Sequence, residues 1–199
     1  MNRSPDHMTA GIPVRHTIIF FDQNSSKIDD YKKILATIKY NINLVFIHSD
    51  FDELMKSISL DAIVSPANSR LCMDGGIDLD YANYFPGIED KLRQVCIKKK
   101  YATSEFIYKG TNFIVPIGKC IATTTDNPNC KYVLAAPTMI TPKDIRGTNN
   151  VYLAMRAIIR KINCFENSAI IACPCLGTGI GAMSGIESAQ QIRQALLKD

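Results

Sequence analysis

Short apolar runs that alternate with stretches of helical periodicity constrain this chain more than any other feature. Thr17 to Phe21, Leu44 to Ile47, Ala62 to Ser65, Tyr132 to Ala136 and Ala169 to Cys173 are brief and lack the polar alternation of a half-exposed strand. Such runs suit strands covered on both faces. Between them, Ile28, Tyr31, Leu35 and Ile38 recur at helical spacing, as do Val151, Met155, Ile158, Ile159 and Ile162. Ser26 with Asp29, and Ser184 with Glu187, read as capping boxes that open helices. Phe51 to Ser57 reads as a short helix, and Gly87 to Lys100 as another after Pro86. Strands that give way to helices in this order predict an α/β protein, a three-layer α/β/α sandwich around a mixed, mostly parallel sheet. Phe113 to Thr125 is rich in β-formers but contains Pro116, so the expectation there is an edge strand or a bulge.

Length and composition limit the classes available. A chain of 199 residues, 46% of them apolar, can bury one substantial core but not two ordinary ones. The expected division is a flexible arm over residues 1–16 and a single domain over 17–199. The arm is polar and carries no hydrophobic stretch ahead of a cleavage site, which argues against a secretion signal. Apolar runs of about six residues are far short of the roughly 20 that a membrane helix needs. The net charge of +4 includes no long basic run. Lys98 to Lys100, the densest cluster, reads as a solvated helix end, so a nucleic-acid partner is disfavoured. Seven cysteines, an odd number without scaffold spacing, suggest reduced thiols in the cytoplasm.

Ligands in such sheets bind where loops converge beyond the carboxyl ends of the strands. Two unusual loops are expected there. The first, Pro66 to Asp78, carries Gly75 and Gly76 ahead of a helix starting near Ile77. The second, Pro174 to Ser184, places Gly177, Gly179 and Gly181 at alternate positions between a buried strand and a capped helix. Backbone N–H groups in such a loop can cradle phosphates, although a structural glycine turn has the same composition. The loop lacks the lysine of a P-loop and does not open the first βαβ unit as a dinucleotide fingerprint does. Cys173 and Cys175 have no partner pair at metal spacing, and His7, His16 and His48 lie far off in sequence, so neither zinc nor another cofactor is expected. A cysteine nucleophile would have to rely on His48 as its base.

Together these segments resemble the macro domain, a family that binds ADP-ribose. The likeness rests on Asp61 to Ser69, on Gly75-Gly76-Ile77-Asp78, on Leu134-Ala135-Ala136-Pro137 and on Pro174 to Gly181, and it spans Asn43 to Asp199. It implies that Asp50, followed by Phe51, receives the adenine amino group. Gly177, Thr178, Gly179, Ile180 and Gly181 would wrap the diphosphate, with Gly75, Gly76, Ile77 and Pro137 also against the ligand. Asn68 would hold the distal ribose and Asp78 would organise water, which implies hydrolysis of mono-ADP-ribosyl protein, O-acetyl-ADP-ribose or ADP-ribose 1″-phosphate. The alternative is a non-catalytic reader of ADP-ribose or ADP-ribosylated protein. Read as residues alone, Asp50 could equally cap a helix, Asn68 could form an Asx turn, and Asp78 could favour a helix N-terminus. The chain departs from the family in Ser65-Pro66-Ala67-Asn68, where Asn-Ala-Ala-Asn is usual, and in Asp74, where a third glycine is common. It also ends at the last helix, before a strand that many relatives add, and Thr17 to Phe21 is the candidate to fill that vacant edge.

Overall fold

The structure, a computed structural model, describes residues 15–37, 39–101 and 112–198. Residues 1–14 of the expected arm lie outside them. Arg15 is already tied in, donating from its guanidinium to the Tyr40 carbonyl at 3.1 Å. Six strands form one sheet: β1 (Thr17–Asp22), β2 (Asn43–His48), β3 (Leu60–Ser65), β4 (Ile121–Asn127), β5 (Cys130–Ala135) and β6 (Ile170–Pro174). Their order is β2-β1-β6-β3-β5-β4, all parallel except β4, which runs antiparallel to β5.

Helices α1 (Ser25–Leu35), α5 (Asn150–Ile162) and α6 (Gly185–Leu196) cover one face. The other face carries α2 (Phe51–Ser57), α3 (Gly76–Tyr84) and α4 (Ile88–Lys98). Strand residues divide between the two cores with period two. In β1, Ile18 and Phe20 join the first core, and Ile19 and Phe21 the second. That double burial is why the sequence shows unbroken apolar runs rather than alternation.

Four expectations need correction. β1 does not fill an edge: it pairs in parallel with both β2 and β6 and so lies inside the sheet. Both its faces and both its edges are occupied, which suits its apolar composition. Helix α1 is capped by Asn24, whose Oδ1 accepts from the Ser26 N–H, rather than by a Ser26–Asp29 box. At α6 only half of the expected box forms. Ser184 accepts from the Glu187 N–H, while the Glu187 carboxylate turns to the Gly147 N–H. Finally, the strand near Pro116 begins only at Ile121. Lys119 N–H closes a turn onto the Pro116 carbonyl, and β4 takes the sheet edge with a register shift between Thr124 and Asn127.

One buried polar relay joins the two ends of the chain. The Tyr31 hydroxyl of α1 lies 2.6 Å from Ser188 Oγ of α6, which donates at 2.6 Å to the Leu176 carbonyl just after β6. Ser188→Ala removes the middle of this relay and leaves a buried hydroxyl and a buried carbonyl unpaired. The expected cost is about 1–3 kcal/mol. Thermal unfolding should register it as a fall of roughly 2–4 °C per kcal/mol.

Candidate functional site

Parallel strands point their carboxyl ends the same way, so the loops after β2, β1, β6, β3 and β5 gather on one side. They enclose a cleft of about 500 Å³. At ordinary strand spacing the sheet measures about 19 Å from β2 to β5, room for an extended two-ended ligand.

The loop after β6 forms the middle of the cleft. Gly177 has φ +73, the left-handed region that glycine tolerates. Its carbonyl accepts from Met183 N–H, the Gly181 carbonyl accepts from Ile145 N–H, and Thr178 Oγ1 donates to the Cys175 carbonyl. The loop is therefore clamped through its carbonyls. Among the described residues, the N–H groups of Thr178, Gly179, Ile180 and Gly181 donate to no protein acceptor. All four residues line the cleft, and successive unpaired backbone amides of this kind can hold an anion.

The loop after β3 forms one end. Asn68 Oδ1 accepts from the N–H groups of Arg70 and Cys72, and Nδ2 donates to the Cys72 carbonyl at 2.8 Å. Asn68 is thus an Asx-type organiser of its own loop and also lines the cleft. An amide has two N–H donors, so one remains for a ligand. Ala67 (φ 28) and Leu71 (φ 55) sit in strained left-handed backbone. The loop is held in that form from the β5 side, where Thr138 N–H donates to Pro66 and Ala67 carbonyls and Ser69 N–H donates to the Met139 carbonyl. Asn68→Ala is expected to destabilise the protein by about 1–3 kcal/mol through the orphaned Arg70 and Cys72 amides. Denaturant unfolding checks this independently of any ligand.

Asp78 lies in the first turn of α3, 8% exposed, with Oδ1 accepting from the Ser65 hydroxyl at 2.7 Å. Ser65, where the family usually has asparagine, is buried and off the cleft, whereas Asp78 lines it. Burial pushes the carboxyl up to about 7, against the pull of the Ser65 bond, and Glu89 on α4 adds to the rise. A carboxylate poised near neutrality suits a general base.

Asp50 does two jobs at the far end. Its Oδ1 caps α2 by accepting from Glu53 N–H at 2.8 Å, and the residue also lines the cleft. Beside it, Phe51 packs edge-on against Tyr81 and Tyr84. Gly75, Gly76 and Ile77 are also on the lining. Pro137 is not: the lining passes through its neighbours Thr138 and Met139 instead, because Pro137 only carries the chain out of β5.

Several lining residues escaped the sequence reading. Phe21, Asp22, Gln23 and Lys27 come from the end of β1 and the start of α1, with the Lys27 ammonium 3.2 Å from the Asp22 carboxylate. Their signal was the rule already applied to the other strands, since they follow the carboxyl end of a parallel strand. Assigning β1 to an edge hid it. Cys173 and Cys175 are buried, and burial holds both thiols well above their ordinary range. His48 bonds the Gln23 carbonyl rather than either thiol. No group of three or more potential metal ligands occurs among the described residues, and no helix there is long and apolar enough to cross a membrane.

With this geometry established, the comparisons with known proteins agree with one another. A family model described as Macro domain matches residues 64–192. An uncharacterized protein of Aquifex aeolicus (strain VF5) is 30% identical over 128 residues, covering 63% of this chain and 66% of that protein. Among solved structures, the macrodomain of Mycobacterium tuberculosis DarG is 19% identical with a TM-score of 0.53, over 71% of this chain and 84% of that one. The Oceanobacillus iheyensis macrodomain solved with ADP is 15% identical with a TM-score of 0.57, over 73% and 72%. The macrodomain of Thermus aquaticus DarG is 20% identical with a TM-score of 0.54, over 72% and 85%. At these identities the structural likenesses establish a shared fold.

Proposed function

The chain belongs to the macro domain family, and from that premise we propose that its cleft binds ADP-ribose and that it hydrolyses an ADP-ribose derivative. The observation that carries this reading is a juxtaposition. Unbonded main-chain amides at Thr178 to Gly181 and the near-neutral carboxyl of Asp78 line one cleft. The amides take the diphosphate, as oriented N–H groups do. Asp50 and Phe51 receive the base, and the free Nδ2 hydrogen of Asn68 meets the distal ribose. Asp78 then accepts a proton from water as the water oxygen attacks the ester or phosphate joined to C1″. That proton passes to the departing oxygen as the linkage breaks.

Relatives solved with ADP and with ADP-ribose, both the Oceanobacillus iheyensis macrodomain, support the choice of ligand. The substrate classes in view are mono-ADP-ribosyl groups on acidic side chains, O-acetyl-ADP-ribose and ADP-ribose 1″-phosphate. Seven cysteines, all free, suit a reducing compartment such as the cytoplasm.

Calorimetric titration with ADP-ribose tests the binding half, and a millimolar constant or no heat rejects it. Turnover of ADP-ribosylated protein by the parent and by Asp78→Ala tests the chemical half. A second reading, a non-catalytic reader, is favoured by one observation: the Asn68 amide spends three of its hydrogen-bonding positions on its own loop. Tight binding with every modified substrate left intact would select that reading.

A further inference from the structure

Two hydrogen bonds tie the start of α3 to the end of β3. The Tyr81 hydroxyl donates to the Val64 carbonyl at 3.2 Å, and the Ser65 hydroxyl donates to Asp78 Oδ1 at 2.7 Å. Asp78 and Tyr81 stand three residues apart on the helix, so both meet the strand from one face. The strand end is itself fixed: β3 lies between β6 and β5, and the Ser65 carbonyl accepts from the Ala136 N–H. Ser65 is 1% exposed and lies off the cleft lining, which Asp78 joins. Its hydroxyl therefore reaches the site only through that carboxyl. Among the described residues no other donor bonds the Asp78 side chain, so Oδ2 is the oxygen left over.

Resting on the reading that Asp78 is the general base, we propose that Ser65 is its positioning residue: it holds Oδ1 to the sheet, fixes the rotation of the carboxyl and leaves Oδ2 to take the proton of the attacking water. The last torsion of an aspartate is broad, so an untethered carboxyl spreads over many orientations. A single bond from a side chain locked in the central sheet removes that freedom, as a preorganised site requires. Ser65 and Asp78 also bracket the loop that carries Asn68, so their bond closes that loop at its base and gives Asn68 and Asp78 a common anchor. Serine, standing where the family usually has asparagine, brings one rotatable proton, and the carboxylate is the acceptor it meets.

Turnover of ADP-ribosylated protein by the full chain, with ADP-ribose calorimetry and thermal midpoints on the same samples, tests the proposal. Ser65→Ala should lower kcat about 10–100-fold, the scale of a lost hydrogen bond to a charged group, while KM and ADP-ribose affinity hold because Ser65 does not line the cleft. Ser65→Thr keeps the hydroxyl and should recover most of that loss. Ser65→Cys, close to serine in size but a weak donor, should follow alanine and provides a second variant should alanine fail to fold. In an Asp78→Asn background, Ser65→Ala should slow turnover no further, because the group it positions no longer acts as a base. A folded Ser65→Ala or Ser65→Cys protein with undiminished kcat, or an equal loss with and without the Asp78 carboxylate, overturns the positioning role and leaves the hydrolytic reading intact. A parent protein that leaves every modified substrate whole overturns that reading and this proposal with it.

Discussion

Gly181→Ala is expected to lower ADP-ribose affinity by 100-fold or more, about 3 kcal/mol. A Cβ at this position would stand 2.5 Å from the Gly177 carbonyl oxygen, 2.9 Å from Ile145 Cγ1 and 3.1 Å from the Gly177 carbonyl carbon. None of these neighbours is the loose end of a flexible side chain. The Gly177 carbonyl is fixed by Met183 N–H, and Ile145 is fixed by its own bond to the Gly181 carbonyl. The loop must therefore open, and the amides proposed to take the diphosphate diverge with it. Overpacking of this kind costs about 1–3 kcal/mol in stability, so the variant should remain folded. Calorimetry alongside thermal unfolding separates the two effects. Undiminished affinity in a folded variant would remove the β6 loop from the ligand site.

Asp78→Asn is expected to slow turnover by about 10²–10⁴-fold while making the protein more stable above neutral pH. The first effect is the usual magnitude for losing a positioned general base. The second follows from proton linkage. Burial raises the folded carboxyl to about 7 from an ordinary 3.8. A group raised in this way contributes stability fully below its unfolded value, and that contribution is lost as pH climbs from about 4 to about 7. Asparagine keeps the bond from Ser65 and has no charge to bury. The variant should match the parent near pH 4 and exceed it at pH 8 by on the order of 2–4 kcal/mol. Thermal midpoints across that range check the stability arm. The rising limb of kcat/KM near pH 7, lost in the variant, checks the catalytic one. Equal midpoints at both pH values would mean that the carboxyl is not held neutral by its burial.

Where the sequence succeeded, local chemistry and global structure agreed. β3, β5 and β6 were legible because parallel strands under two helical layers must be apolar on both faces. The two loops that line the cleft were legible because each leaves a buried strand and breaks at glycines or an Asx residue. Ser184 was a visible cap because its geometry is set within one turn. The failures were long-range. Nothing in Thr17 to Phe21 reveals that its neighbours are β2 and β6, so the place of β1 was misassigned and Asp22, Gln23 and Lys27 went unnoticed with it. Of the β-rich stretch Phe113 to Thr125, only Ile121 onward forms the expected edge strand; before it, Phe113 makes an isolated bridge and packs with Val115 into the core. Pro137 was carried over with its neighbours, although only Thr138 and Met139 reach the cleft. Asn68 and Asp50 were ambiguous in sequence for a sound reason, since each performs the structural role while still facing the site.

The interior position of β1 also sets a timetable for how the molecule comes into being. Its first neighbour, β2, emerges soon after it, but its second, β6, begins only at Ile170. During synthesis one flank of β1 waits, hydrophobic and unpaired, until β6 has left the ribosome. Acquisition of structure is therefore gated by a strand far along the chain, in keeping with the slow closure of distant parallel pairings. A truncation that removed β1 would not trim a margin: it would cut the platform in two, detaching β2 and the bank of the cleft that carries Asp50 and Phe51 from the rest.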